Sequence, residues 1–392
     1  MRFKSCTVYA LNIPFTEAFA HSAGSRAASD SIIVKLEARD GTVGYGEGVA
    51  RPYVTGETVE TSINHIRKVL WPAVSSSDYA DLVPGADPLH ALTGIDESLP
   101  EEKSDDVIAF NAARSCVEIA LIDSLLRRRK MSLAEILPPR RTSLTYGAVI
   151  SSGSLESSTS RARQLKLFGI QEVKIKIEDR EGIARVLAVR ETLGPRARLR
   201  VDANGAFNKE DAVKVAKEMA PLDIAAFEQP TPRKDGCDAL REVRRQSPVP
   251  VMADESLVTI DDARALIESE ACDYFNLRLS KCGGITRTLR IAREAVDAGI
   301  YLQLGSQVGE TAILSAAGRH LVAHLERVEF VEGSYGKLLL AEDLSRDPIH
   351  FAYGGQARTL RGAGLGIEVR EEVLERYAVK KIHLREDDTV HA

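Results

Sequence analysis

No two cysteines in this chain form a C-x-x-C pair: Cys6, Cys116, Cys237, Cys272 and Cys282 are scattered over 392 residues. That spacing supports neither a disulfide framework nor a zinc site, and reads as five reduced thiols in a cytoplasm. Long apolar runs are also missing. The start, MRFKSCTVYALNIPF, lacks the apolar core of a secretory signal, and no stretch approaches the roughly 18 apolar residues of a membrane span. A cytoplasmic protein without a membrane partner is expected. There is no excess of positive charge: the net charge is −5 with both signs interspersed, which disfavours a nucleic-acid-binding surface. Low-complexity segments and recognisable short repeats are absent. A small molecule is therefore the expected partner, with the chain assembling as a homo-oligomer.

What is present is ordinary in bulk and ordered in detail. A hydrophobic fraction of 44% over 392 residues suffices for two domains, or for one large barrel with an appendage. From Thr142 onward, short apolar strands alternate with amphipathic helical stretches. LTYGAVI, EVKIKI, RLRVDAN, IAAFEQP, VPVMADE, YFNLRLS, YLQLGS and VEFVEG are separated by patterns such as KEDAVKVAKEMA and ITRTLRIAREAVDAG. Eight strands and seven helices predict an α/β fold, a (β/α)7β TIM-type barrel. Residues 1–130 read instead as an α+β capping domain. Its strand pair lies in SIIVKLEARDGTVGYGEG, turning at Asp40-Gly41, and its helices lie in TVETSINHIRKVLWPAV and DVIAFNAARSCVEIALIDSLLRRR. The tail, residues 357–392, is expected to return to that domain, leaving 131–356 as the barrel. The late GAGLG follows no clear strand and opens no helix, so it is not a dinucleotide fingerprint.

The stretch VKIKIED places Lys174 and Lys176 on one face of a strand and Val173, Ile175 and Ile177 on the other. Alone, that is a surface strand with solvated lysines. In a parallel barrel, however, functional groups stand where strands end. Lys176, Asp202, Glu228 and Asp254 follow one another at intervals of 26 residues, one strand-helix unit each, so equivalent heights on adjacent strands are expected. Three carboxylates gathered there need a cation among them. All-oxygen ligation suits Mg2+ or Mn2+ before zinc; the alternative is a salt-bridge network with barrel lysines and arginines. Beside other cations, a partly desolvated Lys176 gives up its proton more readily and can act as the proton carrier, with Lys174 supporting it or binding a substrate carboxylate.

With KIK, DAN, EQP and DES joined by the capping stretch IPFTEAFAHSAGSRAASDSIIVKLEARDGTVGYGEG and the late GLGIEV, nearly the whole chain resembles the enolase superfamily. The likeness is to its mandelate racemase/muconate lactonizing enzyme family, in the muconate-lactonizing subgroup. That resemblance implies a capping domain over a (β/α)7β barrel, Mg2+ (or Mn2+) held by Asp202, Glu228 and Asp254, and a small carboxylate substrate. It also implies α-proton chemistry through a metal-stabilised enediolate.

One position departs from the pattern. The sixth strand reads FNLRLSKCGG, and the resemblance leads one to expect a second catalytic lysine where Arg278 stands. An arginine is a fixed cation and a poor base, and Lys281, at an odd offset along a strand, is expected on the other face. One-base chemistry is therefore ranked first, as cycloisomerisation of an unsaturated diacid or a one-sided elimination. Dipeptide or amino-acid epimerisation follows. Candidate substrate contacts are His21 and Ser22 in the capping loop, Asn204, Asn276, Ser306 and Gln307, and Glu332 in VEGSYG, which lacks the D-x-D of dipeptide epimerases. A Schiff-base aldolase using Lys176, or a non-catalytic binder, are the readings from other classes.

Overall fold

The computed structural model describes residues 1–21, 24–85, 87–102 and 104–386; the side chains of residues 17–25 lie outside that description. His21 and Ser22 therefore fall outside the described side chains.

The barrel forms as the alternation predicts. Its eight strands are Ala148–Ile150, Glu172–Lys176, Arg198–Asp202, Ile224–Glu228, Val251–Ala253, Tyr274–Leu277, Tyr301–Leu304 and Val328–Val331. They pair in chain order as one parallel sheet. The Gly147 N–H donates to the Val331 carbonyl at 2.8 Å, bringing the eighth strand back to the first. Seven helices fill the intervals: Leu155–Leu167, Gly182–Leu193, Lys209–Met219, Gly236–Gln246, Ile260–Glu268, Ile285–Asp297 and Ala312–His324. Among the described residues no helix is long and apolar enough to cross a membrane.

The cap is a four-stranded antiparallel sheet in the order Ala378–Arg385, Phe3–Leu11, Ile32–Ala38, Val43–Gly48. The tail thus returns to the N-terminal strand. The last strand reads VGYGEG, with glycine at every second position, so one face carries no side chains. Helix Asn111–Arg128 lies directly on that face: a Cβ at Gly46 would collide with the Cys116 carbonyl, and one at Gly48 with that of Ala112. The helix begins at Asn111 rather than at Asp106, because buried Glu57 accepts the Ala112 and Ala113 N–H groups at 2.9 and 3.1 Å and fixes the first turn there.

Two more buried glutamates cap helices in the same way, and these two join cap to barrel. Glu47, on the glycine-rich strand, accepts from Thr311 N (2.8 Å) and Leu314 N (2.9 Å) at the start of barrel helix Ala312–His324. Glu118, on the cap helix, accepts from Ile285 N and Thr286 N at the start of Ile285–Asp297. The cap is thereby held over the C-terminal ends of the barrel strands.

Candidate active site

The second, third and fourth strands bring their terminal residues into register: Lys176 pairs with Asp202, and Asp202 with Glu228. Glu228, however, pairs with Met252, so Asp254 lies two residues further along, past the end of its strand. Equal sequence intervals therefore give equal heights for three of the four residues. Gln229 compensates. Its backbone turns to φ 38°, and its side-chain Oε1 accepts from Asp254 N (2.9 Å) and Ser256 N (3.1 Å), clamping the loop that presents Asp254.

Asp202, Glu228 and Asp254 are wholly buried, but among the described residues no three acidic, His or Cys side chains close on a preformed metal cluster. Cations stand between them, as in the network alternative. Lys174 Nζ lies 3.2 Å from Glu228, 3.4 Å from Asp202 and 3.0 Å from Glu332. Burial opposes its charge, but Glu228, Glu332 and Asp202 together hold it protonated, with an affinity above the usual lysine range. Arg278 bonds Asp254 Oδ2 and lies 3.7 Å from Glu228. Despite burial, Arg278 and Lys281 keep Asp254 well below the usual carboxylate range. Glu228 is pushed upward by burial and by the neighbouring acids, against the pull of Lys174.

Lys281 corrects the parity argument. The sixth strand ends at Leu277, and residues Leu279–Cys282 form a helical turn, so an odd offset no longer turns the side chain away. Its ammonium is buried on the Asp254 carboxylate (2.8 Å), the Asp254 carbonyl (2.7 Å) and the Asn276 carbonyl (2.7 Å).

Above this layer opens a cavity of about 1150 Å³, with Thr16 and Tyr53 of the cap on its rim. Lys176 reaches into it, its Nζ 2.6 Å from Asn204 Oδ1 and 3.5 Å from Asp202 Oδ2. Asn204 is fixed from its other side by Glu255, which accepts its amide N–H at 2.9 Å. Arg278, Ser306, Gln307 and Glu332 share the cavity wall. Asn276 does not: it is fully buried and donates to Glu228 Oε1 at 2.8 Å, so it holds an acid rather than lining the chamber. Glu332 is turned to Lys174 and to Arg200, 2.9 Å away.

Arg200, Gln229, Glu255, Lys281 and Glu310 were not anticipated from the sequence. Arg200 was accessible to it, since it shares the inward face with Asp202 two residues on. The others lie beyond strand ends, where period-two alternation no longer gives a direction.

Comparison with known proteins agrees with this architecture. Residues 158–373 match the family described as enolase C-terminal domain-like. The chain is 30% identical to the N-succinyl-L-Arg/Lys racemase of Bacillus cereus, over 97% of this chain and 98% of that protein. The crystal structure of that racemase superposes with a TM-score of 0.88, covering 98% of this chain and all of the other. Identity to the hydrophobic dipeptide epimerase of Enterococcus faecalis is 31%, over 82% of this chain and 87% of that protein. A dipeptide epimerase structure from that organism, with Mg and L-Leu-L-Tyr bound, gives a TM-score of 0.81 over 94% of this chain and all of the other. Muconate cycloisomerase 1 of Rhodococcus opacus is 27% identical over 93% of this chain and 95% of that protein. Fold, strand-end chemistry and full-length likeness converge: the chain belongs to the enolase superfamily, as an isomerase of its mandelate racemase/muconate lactonizing enzyme family.

Proposed function

We propose that this protein inverts the α-carbon of a small N-acylated amino acid or related carboxylate by proton transfer. The observation that carries this reading is Lys176, whose side chain stands on the cavity wall 3.5 Å from a strand-end carboxylate. Its hydrogen bond to Asn204 fixes the direction from which it takes the α-proton. Lys174, held protonated among three acids, supplies constant positive charge beneath it. The relatives include racemases and epimerases at 30% and 31% identity and a cycloisomerase at 27%, which favours inversion over the cycloisomerisation expected from Arg278 alone. They equally favour an isomerase over a Schiff-base aldolase.

N-acylation is favoured by Glu332. A carboxylate between Lys174 and Arg200 is already neutralised, so it offers no counter-charge for a free substrate ammonium. Ser306 and Gln307 on the cavity wall would supply the contacts to an acyl amide.

The carboxylate set fits a divalent ion: the donors are hard oxygens, and buried Asp202 Oδ2 makes no hydrogen bond, with Lys174 and Lys176 standing off at 3.4 and 3.5 Å. Asp202, Glu228 and Asp254 would hold Mg2+, with Mn2+ as the alternative. When bound, such an ion neutralises charge growing on the substrate carboxylate and thereby acidifies the α-carbon.

The second reading is one-base cycloisomerisation of an unsaturated diacid, in the muconate-lactonizing manner. It is favoured by Arg278, whose guanidinium can grip a second carboxylate but not accept a proton. The deciding experiment incubates the protein and Mg2+ in D2O with three panels: N-acyl amino acids of each hand, dipeptides, and unsaturated diacids. Inversion with deuterium entry into an N-acyl amino acid is the expected result. Lactone formation without inversion would move the second reading to first place.

A further inference from the structure

Glu310 lines the same cavity as Lys176. Lys176 ends the second strand, whereas Glu310 follows the seventh. In an eight-stranded ring paired in chain order, the second and sixth strands are opposite, and the seventh adjoins the sixth. Glu310 and Arg278 therefore face Lys176 from the opposing arc.

The loop carrying Glu310 is pinned at consecutive residues. Gln307 N donates to Glu310 Oε1 at 2.7 Å, and Glu310 N donates back to the Gln307 carbonyl at 3.1 Å. Arg51 Nη2 holds the Val308 carbonyl at 2.6 Å. Ser29 and Ser31 hydroxyls hold the Gly309 carbonyl at 2.6 and 3.0 Å, and Glu47 takes Thr311. The result is one carboxyl held in one orientation at the cavity wall.

Its surroundings favour the protonated form of that carboxyl. Burial raises it to about 8, with nearby Glu47 adding to the rise, while the Gln307 N–H and the Arg278 and Arg51 charges oppose it. A protonated carboxyl is a proton donor, the property Arg278 lacks.

We propose that Glu310 is the second proton carrier, serving the face of the α-carbon opposite Lys176. In one direction the Lys176 amine takes the α-hydrogen as a proton, and the C–H electron pair moves into the bond between Cα and the carboxylate carbon, giving an enediolate. The Glu310 O–H bond then breaks and its proton joins Cα from the other side. Lys176 is left as ammonium and Glu310 as carboxylate, the pair of states from which the opposite enantiomer is converted back. Arg278 remains a fixed charge throughout. This inference rests on the inversion reading above.

The test follows each enantiomer of an N-succinyl or N-acetyl amino acid in D2O with Mg2+-loaded protein, comparing wild type, Glu310→Gln and Lys176→Ala. Glu310→Gln is expected to lose inversion by about 10²-fold or more, while exchange of one enantiomer, through Lys176, continues within about threefold of wild type. Lys176→Ala should abolish exchange of that same enantiomer. A purely structural Glu310 would not separate the two enantiomers, so loss of both exchanges in folded Glu310→Gln overturns the proposal. Undiminished inversion in that variant also overturns it. Should Glu310→Gln fail to fold, Glu310→Asp, which withdraws the carboxyl by one methylene, must show the same one-sided pattern; equal loss on both sides counts against the proposal. Wild type that exchanges only one enantiomer refutes a second carrier and leaves α-proton chemistry standing. Wild type that exchanges neither refutes the inversion reading and this inference with it.

Discussion

Arg278 Nη2 bonds Asp254 Oδ2 and lies 3.7 Å from Glu228 Oε1, so a guanidinium stands at the junction of two acids that a divalent ion would share. The ion and the guanidinium are rivals for the same negative charge. Replacing Arg278 by Met leaves Asp254 with Lys281 and Glu228 with Lys174 but removes the buried counter-charge they share, a loss of up to about 3–5 kcal/mol. We expect Arg278→Met to melt well below wild type in EDTA, and Mg2+ to raise its Tm by more than it raises that of wild type. An equal Mg2+ effect on both proteins would show that the guanidinium and the ion do not compete.

The metal assignment is tested directly. Titration calorimetry should show one Mg2+ or Mn2+ site, lost or weakened in each of Asp202→Asn, Glu228→Gln and Asp254→Asn. Wild-type affinity in all three variants would remove these residues as ligands.

Lys176→Ala should lower kcat/KM by at least about 10²–10⁴-fold, the range for a lost acid-base group, with Mg2+ affinity retained. Near-normal turnover would exclude Lys176 as the proton carrier.

His320 gives a pH prediction away from the site. It is buried in helix Ala312–His324, and its Nε2 meets the Leu365 carbonyl at 3.1 Å. Burial lowers it from 6.5 to about 4, helped by Arg319 and opposed by the Leu365 contact. A depressed histidine binds its proton less tightly when folded. Its contribution is therefore complete above pH 6.5 and is lost as pH falls from there through about 4, amounting to about 3 kcal/mol. Denaturant titrations should show that slope, and His320→Gln should flatten it in the same window. An unchanged slope would mean that other groups carry the acid sensitivity.

The barrel was legible because apolar and polar residues change period between strand and helix, and because carboxylates at strand ends survive as short motifs. The same logic failed just past the strand ends. Equal spacing puts Asp254 at the height of Glu228, but the extra reach of its loop is held by Gln229, whose φ of 38° no spacing rule anticipates. Lys281 turns toward Asp254, against strand parity, because the strand becomes a helical turn at Leu279. Period-two alternation turns Asn276 inward, which puts it on Glu228 rather than in the chamber. Glu310 gave no periodic signal at all. Its orientation comes from hydrogen bonds to residues as distant in sequence as Ser29 and Glu47.

The helix-capping glutamates of the cap bear on how the protein opens. Swinging the cap away would leave Glu47 and Glu118, and the four N–H groups of Thr311, Leu314, Ile285 and Thr286, without partners. Exchanging each of these bonds for water costs about 0.5–3 kcal/mol. A hinge between the two parts is thus closed off energetically, and traffic in and out of the chamber falls to its rim near Thr16 and Tyr53. Heat should likewise find no separable pieces: cap and barrel share their helix starts and melt as one cooperative body.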